Sequence, residues 1–316
     1  MKHLLNNNQD IASGRFSNLK SNFINDPSLF SDYKKVIDEH LRDGIIERIK
    51  DSDENKENTY YLPHRAVIRK DHSTTQLRIV FDASSHAKGQ LSLNDCLYTG
   101  LNLISDLFSL LLRFRSHPVA ISSDIQKAFL QINIEEGDRN FTRFYWSNNP
   151  EDDNKEIYRM TTVLFGVFSS PFLLAVTAKY HLKRCIEQFP MTHELLENSL
   201  YVDDLITGPE NIESAFKSSL EAFNIVKDVS MNLRKWETNS VELRDRWRKE
   251  RLEIDESNYS VNDNSALTPF KVLGLPWDSD LDIFYFETLN LEKFLSRRIN
   301  TKRYNLQVAG RIFDPL

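Results

Sequence analysis

The chain has 316 residues, 40% hydrophobic and 27% charged, which is ordinary for a soluble globular protein and enough for two or three compact subdomains. Its two cysteines, Cys96 and Cys185, exclude a disulfide framework, and no Cys/His spacing supports a zinc site. The net charge of −6 argues against a chain-wide attraction for polyanions, although basic residues gather locally in Arg65 to Lys70, Leu243 to Arg251, and Arg297-Arg298 with Lys302-Arg303.

Met1 to Asp10 is polar and Asn-rich and reads as no targeting signal. Ser31 to Asp43 reads as an amphipathic helix with Val36, Ile37, His40 and Leu41 on one face and Gly44 as its stop. The charged run Asp51 to Asn58 reads as a loop. Arg65 to Arg69 and Leu77 to Phe81 follow as strands joined through Asp71-His72-Ser73, and Leu101 to Arg115 as a Leu-rich helix. Val119 to Ser123 alternates like a strand, which places Asp124 at its C-terminal end. Phe141 to Trp146 and Ile157 to Val163 form the arms of a hairpin.

Ser170 and Pro171 open a helix to about Phe189 whose apolar face includes Phe172, Val176, Tyr180 and Ile186. The apolar run Val163 to Ala178 is interrupted by Ser169-Ser170-Pro171 and is too short to span a bilayer. Ser199 to Gly208 places Asp203 and Asp204 between two short apolar runs, at the tip of a hairpin. A polar turn is made more cheaply with Asn-Gly or Asp-Gly, so two adjacent carboxylates suit a seat for a hard divalent cation. Glu210 to Asp228 is helical, with Ile212, Phe216, Leu220, Phe223 and Val226 at helical spacing. Strand, hairpin, helix, hairpin and helix in that order imply an α+β fold, helices packed on an antiparallel sheet that brings Asp124 beside Asp203.

Seven ordered blocks carry a family likeness. They are Leu62 to Val67 with Leu77 to Ser85, Ser92 to Leu97, Asp124 to Ile132, Leu164 to Phe172, Tyr201 to Asp204, Leu233 to Trp236, and Val272 to Trp277. Together they resemble the reverse transcriptase of a long-terminal-repeat retrotransposon, with wording nearest the BEL/Pao group. The resemblance implies a right-hand polymerase with an antiparallel palm sheet packed on helices and a partial thumb. Its parts fall as an N-terminal helical extension over 1–58, fingers over 59–118 and palm over 119–240, with a fingers hairpin near 139–163. The primer-grip hairpin and the start of a truncated thumb or connection occupy 241–316.

The resemblance further implies an RNA-directed DNA polymerase that extends a primer with dNTPs on an RNA or DNA template. Asp124, Asp203 and Asp204 become catalytic carboxylates holding two Mg²⁺ ions, with Mn²⁺ as a substitute, for two-metal phosphoryl transfer. Lys235 becomes the general acid for pyrophosphate, with a solvated lysine as the plain alternative. Phe129 becomes the steric gate against the ribose 2′-hydroxyl, a role compatible with a core aromatic. Arg78, Arg69 and Lys70 hold the triphosphate, though Arg69 and Lys70 read equally as a solvated strand edge. Ile125, Phe165 and Gly166 complete the nucleotide pocket. Leu164 and Phe165 stand where the retroviral pattern has Pro and Gln, so packing replaces a hydrogen bond to the sugar there. Leu273, Gly274 and Leu275 match the primer grip.

Protease, integrase and ribonuclease H signatures are absent from the sequence, and Arg311 to Leu316 resembles the middle of a family block. The chain therefore reads as a polyprotein fragment whose partners include ribonuclease H and integrase parts. Its expected setting is the cytoplasm, including a virus-like particle, with no membrane partner. The competing expectation is a truncated remnant that binds nucleic acid without polymerising.

Overall fold

The computed structural model describes residues 4–50, 58–68, 77–254, 270–286, 288–296 and 301–310. The chain forms two compact units, one of residues 1–103 and 127–176, the other of residues 104–126 and 177–316. No helix among the described residues is long and apolar enough to cross a membrane.

The first unit begins with two helices, α1 (Gln9–Asn25) and α2 (Pro27–Arg42). In α1 a narrow stripe of Ala12, Phe16, Leu19 and Phe23, at helical spacing among Ser, Asn and Lys, turns inward. Asp26 caps α2 by accepting from the Leu29 N–H, and Pro27 sits at its first turn, so the helix starts four residues before the expected Ser31. Gly44 stops it at φ 70°, as expected. Tyr33 and Ile37 are its buried residues, whereas Leu41, placed by the sequence on the apolar face, is exposed.

Strand β1 (Ile46–Arg48) joins β5 (Arg143–Trp146) and β6 (Glu156–Met160) in an antiparallel sheet of order β1-β6-β5. A separate hairpin pairs β2 (His64–Ile68) with β3 (Leu77–Phe81), while its expected turn through Asp71-His72-Ser73 and the loop from Asp51 to Glu57 lie outside the described residues. Trp146 anchors the core, stacked with Tyr33 (ring centroids 5.5 Å, 12° between planes) and with the half-buried Phe30 (5.9 Å, 18°), a fully buried ring contributing roughly 1.5–3 kcal/mol.

His64 lies inside this aromatic shell, beside Phe16, Phe81 and Phe144. Its Nε2 donates to the Tyr145 carbonyl at 2.7 Å, which leaves Nδ1 to accept from the Tyr33 hydroxyl. Both ring nitrogens are satisfied only when the imidazole is neutral, and burial lowers its pKa to about 4. Burial, followed by the Lys127 charge, lowers His40 to about 4 as well.

The second unit is built on an antiparallel sheet of order β7-β8-β4-β9, from β4 (Ile121–Ile125), β7 (Leu200–Tyr201), β8 (Asp204–Thr207) and β9 (Leu233–Thr238). Helix α4 (Leu107–Ser116) packs on β8, capped by Asp106, so only the second half of the expected Leu101-to-Arg115 helix forms. Its end approaches Gly208 so closely that a Cβ there would stand 2.8 Å from the Arg113 carbonyl oxygen.

Helix α5 (Ser170–Lys183) ends before the expected Phe189, and α6 (Pro190–Ser199) takes over at a proline. The expected face of α5 is also corrected. Leu174 and Leu182 are buried, while Val176, Tyr180 and the downstream Ile186 are exposed. Helix α7 (Ile212–Lys227) buries Ala215, Ser219, Ala222, Ile225 and Val226, with the larger Phe216, Leu220 and Phe223 only half-buried. Small residues let helix and sheet approach closely, and the Trp247 indole of α8 (Val241–Lys249) donates to Ser219 Oγ at 2.7 Å. Beyond them, β10 (Lys271–Val272), β11 (Leu275–Asp278) and β12 (Ile283–Phe284) form a small meander whose Trp277 packs edge to face on Phe114, with centroids 5.0 Å apart.

The depressed histidines predict an acid-labile fold. The unfolded chain takes up their protons near pH 6.5 and the folded chain only near pH 4, so stability present above pH 6.5 is lost as pH falls between them. The slope should be up to ~1.4 kcal/mol per pH unit per histidine. Urea unfolding from pH 7.5 to 4.5 should show it, and a His40→Gln/His64→Gln variant should show a shallower fall; equal slopes would refute the assignment.

Candidate active site

Strand β4 is the centre of the second unit's sheet, bordered by β8 and β9. Its central place explains its composition, because Ile121 and Ile125 are buried and the polar Ser122 and Ser123 are buried with them. Asp124 is the second-last residue of the strand, at its C-terminal end as expected, and lies directly opposite Asp204 of β8. Side chains of directly paired residues share one face, so two carboxylates stand side by side, an arrangement that destabilises a sheet.

The turn between β7 and β8 is Val202-Asp203, closed by the Tyr201–Asp204 pair. Val202 has φ 57°, a left-handed conformation that a β-branched side chain resists and that two-residue hairpin turns normally give to glycine. Strain of this kind persists only where the surroundings enforce it. Here the Asp203 carbonyl accepts from the Ile125 N–H at 2.7 Å, tying the turn to β4 one residue past Asp124.

The electrostatics follow from this packing. Burial first, then the charges of Asp203 and Asp124, push the Asp204 carboxyl up to about 7, and Lys235 pulls the other way. On the opposite side of β4, Arg234 of β9 faces Asp124, its Nε 3.2 Å from Asp124 Oδ1. The β4–β9 register shifts between Ser122 and Asp124, and Lys235 has φ 52°, so the strand is locally irregular where its two cations meet the carboxylates.

The donor set of Asp124, Asp203 and Asp204 is all oxygen, as a hard divalent ion requires, and like charges held together are what such an ion relieves. As they lie, no three acidic, His or Cys side chains among the described residues converge closely enough to hold a metal. The residues fit the ion in chemistry and charge, with Asp124 engaged by Arg234 instead.

The remaining expected site residues divide between the units. Ile125 is 3% exposed in the second unit, so its side chain belongs to the core and its N–H is spent on Asp203. Leu273 and Gly274 are the two-residue turn between β10 and β11, with φ 51° and 86°, the signature of a type I′ turn, and Leu275 opens β11.

In the first unit, Arg78 lies exposed on β3 opposite Val67. Phe129 is buried in a short 3₁₀ turn and meets Phe165 edge to face, with centroids 4.7 Å apart. Gly166 has φ 97°, and a Cβ there would fall on the Phe81 carbonyl oxygen, so only glycine fits. Arg69 and Lys70 lie outside the described residues.

Two residues were not singled out as site residues by the sequence. Asn94 donates to the Gly166 carbonyl at 3.0 Å and accepts from the Phe168 N–H at 3.0 Å, clamping the turn that presents Phe165. Its only signal is the block Ser92 to Leu97, whose Ser92 and Asp95 form a capping box. Arg234 is the other, and its only signal is its place beside Lys235 in the block Leu233 to Trp236.

Residues 68–274, more than half of the chain, match the family model for reverse transcriptase (RNA-dependent DNA polymerase). The chain belongs to the reverse transcriptase family. Its fold agrees: the prototype foamy virus protease-reverse transcriptase, as the CSH mutant, aligns with TM-score 0.51 and 18% identity over 67% of this chain and 24% of that one. The foamy viral protease-reverse transcriptase in complex with RNA/DNA hybrid aligns with TM-score 0.47 and 17% identity, over 65% and 23%. This reverse transcriptase chain thus spans about a quarter of those solved chains. No curated protein matches it.

The raised Asp204 carboxyl gives a stability prediction. A carboxyl raised above its unfolded value is stabilising below about pH 4, and that contribution is lost as pH rises through about 7. Asp204→Asn should therefore raise stability at pH 8 by on the order of 1 kcal/mol or more and leave it unchanged at pH 4. Thermal unfolding at the two pH values checks this, and an equal effect at both would contradict it.

Proposed function

We propose that this chain is the polymerase part of a BEL/Pao-type long-terminal-repeat retrotransposon, extending a DNA primer on an RNA or DNA template with dNTPs. The observation that carries the reading is Asp124 opposite Asp204 on adjoining strands, with Asp203 held in the strained turn beside them. A fold that only needed to be stable would not set two carboxylates face to face.

Two divalent cations, Mg²⁺ or Mn²⁺ in its place, held by Asp124, Asp203 and Asp204, would supply activation of the primer 3′-hydroxyl and neutralisation of the leaving pyrophosphate. The chain's own residues do the rest. Lys235 hands a proton to the pyrophosphate. Arg78 grips the triphosphate together with Arg69 and Lys70, and its planar fork suits phosphate oxygens. Phe129, braced by Phe165, blocks a ribose 2′-hydroxyl. Gly166 and the Ile125 backbone admit the nucleotide closely, and Leu273-Gly274-Leu275 steadies the primer end.

In this reading residues 59–118 are fingers, 119–240 palm and 241–316 the primer-grip hairpin with the start of a thumb, following an N-terminal helical extension. The chain works with ribonuclease H and integrase parts of one polyprotein, in the cytoplasm and inside a virus-like particle.

Primer extension on poly(rA) with oligo(dT), dTTP and Mg²⁺ tests the reading directly. Extension is expected, falling by at least about 100-fold in Asp203→Asn, roughly 2.7 kcal/mol of transition-state stabilisation. Folded protein that binds the primer-template yet extends nothing would overturn it. Phe129→Ala should separately admit ribonucleotides, lowering discrimination by about tenfold or more; unaltered sugar selectivity would remove the gate.

A further inference from the structure

The two cross-strand neighbours of Asp124 have opposite character, Asp204 on one side and Arg234 on the other. Arg234 Nε and Asp124 Oδ1 approach to 3.2 Å, both atoms are buried, and neither makes a hydrogen bond. The contact is charge pairing without hydrogen-bond alignment, which is a weak way to satisfy a buried guanidinium and a buried carboxylate. It is nevertheless held in place, because Ser123 Oγ donates to the Arg234 carbonyl at 2.9 Å and the register shift at Asp124 turns this part of β9 toward β4.

Arg234 is a permanent cation and carries no proton it can shed at accessible pH. A divalent ion that takes Asp124 as a ligand must share or displace that charge, since two cations on one carboxylate repel each other. With Asp124 so engaged, the three aspartates do not converge as a metal-holding group in this structure.

We infer that Arg234 is a positioning residue that occupies Asp124 as a monovalent stand-in and competes with the divalent cation for it. The inference rests on the proposed metal-dependent reading of the same three aspartates. It implies that the chain by itself holds its metal weakly. Metal arriving with a triphosphate brings anionic oxygens to which the released guanidinium can turn, so nucleotide and metal assemble the site together.

The test is Mn²⁺ binding to the purified full chain without nucleotide, read by loss of the free-ion paramagnetic signal and by calorimetry. Wild type, Arg234→Gln, Arg234→Lys and Asp124→Asn are compared, with cooperative unfolding as the check on folding. Arg234→Gln should bind Mn²⁺ about tenfold more tightly than wild type, and Asp124→Asn should bind it more weakly. Arg234→Lys, which keeps a charge but loses the Nε contact, should fall between wild type and Arg234→Gln; should Arg234→Gln not fold, tightening in Arg234→Lys decides alone. Unchanged or weaker Mn²⁺ binding on loss of Arg234, with binding still lost in Asp124→Asn, would overturn the competition and leave the metal reading intact. No binding in wild type or either Arg234 variant would overturn the metal reading and this inference with it.

Discussion

The placement of Asp124 opposite Asp204 is the constraint on which the second unit depends. Like charges paired across two strands oppose sheet formation, so the sheet must be held by everything around them. Buried Ile121, Ile125, Leu205 and Ile206 supply the apolar packing, and α4 and α6 cover β8. The Asp203 carbonyl, tied to the Ile125 N–H, closes the turn despite the left-handed Val202. Arg234 and Lys235 then enter from β9 as the counter-charges, one against Asp124 and one near Asp204. Site and sheet are one piece of structure.

The first unit solves a different problem, which is to fix the turn that carries Phe165. Its means is a dense aromatic core, with Trp146 stacked on Tyr33 and Phe30 and a neutral His64 at the centre. From that core Phe81 presents a carbonyl against which only a glycine fits, and Asn94 fastens Gly166 and Phe168 from the other side. Phe165 is thereby carried on a clamped turn against Phe129. Aromatic packing contributes the stability, and a few aligned hydrogen bonds set the shape.

Much of this was legible in the residues. The antiparallel hairpins at His64–Phe81, Arg143–Met160 and Leu200–Thr207 follow from strand-like runs separated by polar turns, and the hairpin at Leu273-Gly274-Leu275 from the family resemblance. Helices were read less well, for a physical reason. Exposed apolar residues on α5, such as Tyr180 at 69%, imitate a buried stripe, while the stripe that α7 buries is Ala and Ser until Ile225 and Val226 at its end. Periodicity finds large hydrophobic residues, whereas close packing selects small ones. Helix α1 falls within the expected N-terminal helical extension, but its bounds are not marked in the sequence because its inward stripe is one residue wide among polar neighbours.

By itself the sequence determined the reverse transcriptase family and the antiparallel α+β plan and singled out the three aspartates as candidates, because ordered motifs and hairpin patterns are local and survive being read one block at a time. Only the tertiary structure decided what surrounds those aspartates. Residues 124, 204 and 234 meet through strand register across β8, β4 and β9, none of which is joined to its partner here by a hairpin, and register depends on packing that no single segment contains. The burial that raises Asp204, the guanidinium that occupies Asp124, and the asparagine that fixes Gly166 are all consequences of that assembly.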